Sequence, residues 1–131
     1  MIDIKRYLCY YTDTMKENLD FEINFYENLV REKPNFVDAL KPLADAYTKR
    51  GMFRKGLEVD KKLVKLRPKD ESCWYNLACS YSLLKDIDKA FYALEKAIQL
   101  GYNNFEFIKQ DTDLDNIRKD SRYKIFINKV R

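Results

Sequence analysis

Apolar residues recur along the chain with a helical spacing. Leu40, Leu43 and Tyr47 stand at i, i+3 and i+7, and so do Trp74, Leu77 and Tyr81. That spacing puts side chains on one face of an α-helix. A break follows each set, at Lys49-Arg50-Gly51 and at Lys85-Asp86. A second helical pattern then runs through Phe53, Leu57, Leu63, Val64 and Leu66, and again through Ile87, Ala90, Phe91, Leu94, Ala97 and Ile98. Each stretch therefore predicts a helical hairpin. Gly51 suits the left-handed turn conformation that ends a helix. Lys85 stands at the matching place and would adopt that conformation at a cost of about 1 kcal/mol. Asp86 is expected to cap the helix after it.

The two hairpins share one register. Val37–Asp70 and Glu71–Asn104 are each 34 residues long, and they align without gaps. Leu40 falls on Trp74, Leu43 on Leu77, Ala44 on Ala78, Tyr47 on Tyr81, Gly56 on Ala90 and Leu66 on Leu100. A fixed period with matched bulky and small positions marks a repeat. A large side chain such as Trp74 is expected to need a small residue such as Ala90 on the facing helix, so that the two axes can approach. Pro42 falls inside a predicted helix, where it removes one backbone hydrogen bond and is expected to kink the turn.

The flanks are less regular. FEINFYENLVREKP before Pro34 reads as the second helix of a degenerate hairpin, with Phe21, Phe25, Leu29 and Val30 as its stripe. Its first helix is expected within Asp3–Tyr11. After Asn104, FEFIKQ predicts a short helix. Asp120 is expected to cap a last helix with Tyr123, Phe126, Ile127 and Val130 on its apolar face. The predicted units are 3–36, 37–70, 71–104 and a helical cap over 105–131, all within one domain.

These residues resemble the tetratricopeptide repeat family. The second unit carries Trp74, Leu77, Ala78, Tyr81, Ala90 and Ala97 at the marked positions. The first carries Leu40, Leu43, Ala44, Tyr47, Gly56 and Pro68. Departures occur at Asp60 and Leu94, where an aromatic residue is usual, at Leu63, where a small one is, and at Tyr102 in place of Pro. The tail is similar to the ending of many bacterial proteins of this family. The resemblance implies an all-α fold, a right-handed superhelical array of antiparallel helical hairpins whose groove is lined by the first helix of each pair. It also implies a non-catalytic interaction module that holds a peptide or a partner's helix in that groove. Asp38, Lys41, Pro42, Asp45, Thr48 and Lys49 of one unit should face the groove, with Ser72, Tyr75, Asn76, Cys79 and Ser82 of the next. Phe105, Lys109 and Gln110 would add a third layer. Some members clamp a terminal carboxylate with Lys and Asn, and Lys41 and Asn76 fall at two such places. Asp45 and Glu106 would repel a carboxylate, however, so an amide-rich or basic ligand fits better.

Composition narrows the chemistry. The 131 residues include no His, 3 Gly and 3 Cys. Zero His removes the commonest base and metal ligand near neutral pH, and three scattered Gly leave no phosphate cradle. Cys79 has no His to activate it. Cys9, Cys73 and Cys79 form no CxxC pair and do not make a zinc site, so they read as reduced, buried thiols. No enzyme activity, cofactor or small-molecule substrate is expected.

The net charge of +4 hides an uneven distribution. Asp13 to Asp38 holds seven acids against three bases, whereas Lys49 to Lys69 holds nine bases against Glu58 and Asp60. The basic stretch falls on a second helix and reads as a solvated face, with Glu58 paired to Lys62. The aromatic wealth reads as core, which argues against base stacking and nucleic acid as the partner. No apolar run approaches the roughly 18–20 residues needed to span a bilayer, and the charged start is unlike a signal peptide, so a membrane partner is not expected and the cytoplasm is. Two alternatives stay open: self-association, with the acidic first unit meeting the basic second unit of a neighbour, and a weakly basic nucleic-acid-binding repeat.

Overall fold

In a computed structural model the backbone is described for residues 4–131 and the side chains for residues 13–131. The described residues are all-helical, without strands. The helices are α1 (Ile4–Glu32), α2 (Val37–Lys49), α3 (Phe53–Leu66), α4 (Glu71–Leu83) and α5 (Ile87–Gln99), then α6 (Phe105–Gln110), α7 (Asp115–Arg118) and α8 (Tyr123–Val130). A 3₁₀ turn at Thr112–Leu114 separates α6 from α7.

The hairpin expected over 3–36 is not formed. Residues 4–32 are a single 29-residue helix. No Gly or Pro occurs between Ile4 and Glu32, so nothing in that stretch ends a helix; the first such residue is Pro34. The described half of α1 packs Ile23, Leu19, Tyr26 and Val30 against Leu43, Ala46 and Tyr47 of α2. Tyr47 also donates its hydroxyl to Glu27 at 2.9 Å, and Arg50 reaches Asp20 at 2.8 Å.

The turns fall where the pattern puts them. Gly51 has φ 85° and Lys85 φ 63°, both left-handed. Asp86 precedes α5 but its side chain makes no capping bond. Asp70 is the working cap: its carboxylate accepts from Ser72 N at 2.9 Å and Ser72 Oγ at 2.6 Å, and Lys41 pairs with it at 3.0 Å. The Ser72 bonds, with Lys41 beside them, hold Asp70 well below the usual carboxylate range. Asp120 accepts from Arg122 N, one residue before α8 begins. α2 runs unbroken through Pro42.

One core joins α2–α5 to the tail. Leu40, Leu63, Ala78, Ala90, Leu94, Ala97, Ile108, Leu114 and Ile117 are essentially sealed from solvent. Ile127 is buried as well, with Tyr123, Phe126 and Val130 packed against the core. Each fully buried Leu or Ile contributes about 1.5–3 kcal/mol of transfer free energy. Cys73 and Cys79 are buried free thiols, and Cys9 lies outside the described side chains. Trp74 differs from expectation, because it is only half-buried. Its Nε1 donates to the Pro68 carbonyl at 2.8 Å, and its ring meets Tyr92 edge-on at 6.3 Å. Gly56 does mark a close crossing: a Cβ there would lie 3.0 Å from Thr48 Oγ1. Glu58 pairs with Lys61 at 3.5 Å rather than with Lys62.

Candidate functional site: an acidic cavity between α2, α4 and α6

Ala44, Asp45 and Thr48 of α2 face Tyr75, Asn76, Cys79 and Ser80 of α4 across a cavity of about 200 Å³. Phe107 of α6 also lines it. Asp111 and Asp113 enter from the segment after α6, and Asp60 reaches in from α3. Four carboxylates thus share one small space.

Asp111 organises the wall. Its Oδ2 accepts from Tyr75 Oη at 2.6 Å and from Cys79 Sγ at 3.7 Å, and its Oδ1 caps the 3₁₀ turn by accepting from Asp113 N at 3.0 Å. Arg118 braces the same segment through carbonyls, donating to Ile108 O and Asp111 O at 2.6 Å each. Tyr75 stacks on Tyr102 with ring centres 4.3 Å apart and planes 8° from parallel. Burial raises the Tyr75 hydroxyl far above its ordinary value, with the hydrogen bond to Asp111 and the Asp111 charge adding to it. Burial likewise holds Cys79 as a neutral thiol, and Asp111 and Asp113 push it further the same way. A thiol held so is a hydrogen-bond donor and not a nucleophile.

Asp60 is the unusual member. It is 3% exposed and accepts from Ser80 Oγ at 2.6 Å. Burial pushes its carboxyl up to about 7, and the Asp45 charge raises it further against the lowering effect of the Ser80 bond. Asp113 is also raised, first by burial and then by Asp111, Asp45 and Asp115. Lys49 pairs with Asp45 at 2.8 Å on the exposed rim. Among the described residues no Lys or Arg side chain forms an ion pair with Asp60, Asp111 or Asp113. Three of the four carboxylates thus lack an ion-pair partner among the described residues, and in their ionised form they would favour a cation in the cavity. Cys79, Asp111 and Asp113 hold donor atoms within 4.8 Å of one another. A metal there would have to displace the Tyr75 and Cys79 bonds to Asp111.

Of the groove residues predicted above, the structure brings together Asp45, Thr48, Tyr75, Asn76 and Cys79. The others lie elsewhere. Lys41 and Ser72 are held by Asp70 at the start of α4. Lys49 leans over Asp45 and borders a separate hollow beside Met15 and Leu19. Lys109 pairs with Glu106, 3.3 Å away. Asp38 is exposed on the first turn of α2. Ser82 is corrected outright, being 0% exposed inside the core, with its carbonyl taken by Asn116 Nδ2 at 2.8 Å. Asp60, Ser80, Phe107, Asp111 and Asp113 were missed. Asp60 carried a signal, a carboxylate at a packing position of α3. Asp111 carried little, since its partner Tyr75 is 36 residues away.

No family model matches the chain. It is similar to a protein of Arabidopsis thaliana that is chloroplastic by name, 29% identical over 102 residues, which is 74% of this chain and 30% of that protein. It is also similar to the general transcriptional corepressor trfA of Dictyostelium discoideum, 26% identical over 88 residues, which is 67% of this chain and 6% of that protein. The chain thus spans less than a third of the length of either relative.

Proposed function

We propose that the chain is a non-catalytic interaction module of the tetratricopeptide type. In this reading its helix pairs stack as antiparallel hairpins in a right-handed superhelical array. The groove holds a segment of a partner protein by inserting one basic side chain, Lys or Arg, into the acidic cavity. The supporting observation is the set of carboxylates from Asp45, Asp60, Asp111 and Asp113 around a space of about 200 Å³, three of them without a basic partner among the described residues. A cation entering there would gain on the order of 1–4 kcal/mol from each close carboxylate at the dielectric of a partly wet site. Tyr75 and Phe107 offer aromatic surface to the aliphatic stem of the same side chain. The thiol of Cys79, raised and bonded to Asp111, supplies no nucleophile, which supports a binding role over catalysis. No helix among the described residues is long and apolar enough to cross a membrane. A cytoplasmic location belongs to the same reading, and the chloroplastic name of the Arabidopsis relative speaks against it.

Fluorescence anisotropy against peptide pools with a fixed central Arg, Lys, Gln or Glu tests the reading. The basic pools should bind, and the Asp45→Asn/Asp113→Asn variant should weaken that binding by about tenfold or more, roughly the loss of 1.4 kcal/mol. Cation binding favours ionised Asp60, so affinity should rise as pH increases through about 7. Equal binding of all four pools would overturn the proposal.

A further inference from the structure

A second surface is built on opposite chemistry. Trp74, Leu77 and Tyr81 of α4 floor a largely apolar pocket of about 360 Å³, walled by Val64 of α3 and Tyr92 of α5. Lys61, Lys65 and Lys89 stand around it. Lys96 lies 6.0 Å over the Trp74 ring and Lys89 5.8 Å over Tyr81. Lys65 has no ion pair among the described residues, and those of Lys61 and Lys89 are exposed and long, at 3.5 and 3.8 Å. Such pairs contribute about 0–1 kcal/mol and yield readily to a better anion.

The complement of this pocket lies on α1. Phe21 is 74% exposed and Phe25 52%. With Glu17 and Glu32 they stand at i, i+4, i+8 and i+15, on a single face of the helix. Neither glutamate forms an ion pair among the described residues. This face does not suit its own copy: residues 13–32 hold six acids against Lys16 and Arg31, so two such helices repel. Nor does it fold over the pocket of its own chain, because Ile23 and Leu19 hold α1 along α2, away from the pocket on α3, α4 and α5.

We propose that the pocket of Trp74, Tyr81 and Tyr92 receives the Phe21–Phe25 face of α1 from a second copy of the chain, with Glu17 and Glu32 meeting the lysine rim. The contact joins two different surfaces, so each copy keeps a free face and a free pocket, and assembly runs head to tail. Two buried Phe supply roughly 300–500 Å², well under the roughly 800 Å² per partner of a stable interface. The association is therefore weak and reversible, and salt-dependent through its charged rim. It stands apart from the acidic cavity, which keeps its place whether or not copies join.

Sedimentation equilibrium of the full chain reads the proposal. The wild type should show an average mass that climbs with concentration without levelling at two copies, and association should weaken about tenfold or more between about 50 mM and 500 mM salt. Phe21→Ala/Phe25→Ala removes the face and Lys65→Glu/Tyr92→Ala removes the pocket. All four sites lie at the surface, and circular dichroism checks that both variants stay folded. Each variant alone should be monomeric. Mixed in equal amounts, one supplies the intact pocket and the other the intact face, and the mixture should form a dimer that does not extend. A wild type that stays monomeric to about 1 mM at low salt would sink the proposal. So would variants that associate as the wild type does, or a mixture that forms no dimer.

Discussion

Asp60 and Leu94 occupy the same slot in two consecutive units, 34 residues apart, and both are buried, at 3% and 0% exposure. Twenty residues beyond each stands its counterpart: Ser80 in one case, Leu114 in the other. The slot on α5 is thus matched by two leucines, Leu94 and Leu114 of the 3₁₀ turn. The slot on α3 is matched by a carboxyl and, from α4, a hydroxyl 2.6 Å apart. A leucine there would bury its surface at no polar cost, whereas an ionised carboxyl at the same depth loses several kcal/mol of hydration. The unit that accepts this cost also opens the acidic cavity at that point. Local rules of core packing tend to be broken where a site needs it, and Asp60 fits that pattern.

The harshest way to break the comparison is to make the two slots alike in the wrong direction. Leu94→Asp would bury a carboxyl with Leu114, not a serine, at the matching position. It is expected to cost at least about 4 kcal/mol at neutral pH, or to unfold the chain, as read by urea denaturation. A loss below about 1 kcal/mol would show that a carboxyl in this slot needs no hydroxyl partner.

The reverse change isolates the cost of Asp60. Its folded value, about 7, lies above that of an unfolded carboxyl near 4, so the folded chain binds the extra proton. Stability from this group is fully present below about pH 4 and is lost as pH rises through about 7. The shift corresponds to roughly 4 kcal/mol at most. Asp60→Asn keeps an acceptor for Ser80 and carries no charge. It should be more stable than the wild type by about 2 kcal/mol at pH 8, and the gap should close steadily toward pH 4. A gap independent of pH would mean that Asp60 does not titrate in that window. The same variant should weaken binding of basic peptides, joining the stability effect to the proposed role of the acidic cavity.

Much of the frame was legible in the sequence because repetition is a local signal read many times over. The helices α2–α5, the turns at Gly51 and Lys85 and the apolar face of α8 all come from side chains within a few residues of each other. The long α1 was also legible, in the absence of any Gly or Pro before Pro34, but an expected hairpin masked it. Trp74 misled, since its size suggested the centre of the core while its indole N–H needs an acceptor and finds one at Pro68, near the edge. The cavity was only half legible. The inner positions of α2 and α4 follow from helix geometry, and five of them line it. Asp111 and Asp113 arrive from an irregular segment whose place is set by Arg118 and the buried Ile108 and Leu114, and no spacing in the sequence encodes that approach.

The mildest probe of the paired units lies at their turns. Gly51 and Lys85 both sit in the left-handed region, at φ 85° and 63°. Glycine meets no steric penalty there, whereas a lysine Cβ crowds the following carbonyl, at a cost of about 1–2 kcal/mol. Lys85 is exposed and has no ion pair among the described residues, so little else is lost when it changes. Lys85→Gly should therefore stabilise the chain by about 0.5–1 kcal/mol, the relief of strain being partly offset by the greater freedom of glycine in the unfolded chain. Gly51→Lys should cost about 1 kcal/mol by the same argument, since a Cβ at Gly51 meets no neighbour and only the backbone conformation counts. Thermal unfolding of the two single variants and the exchange double variant separates the cases. The double variant should return close to the wild-type midpoint if the two turns are interchangeable. A shortfall larger than the sum of the single effects would show that the lysine at position 85 does something the turn geometry does not require.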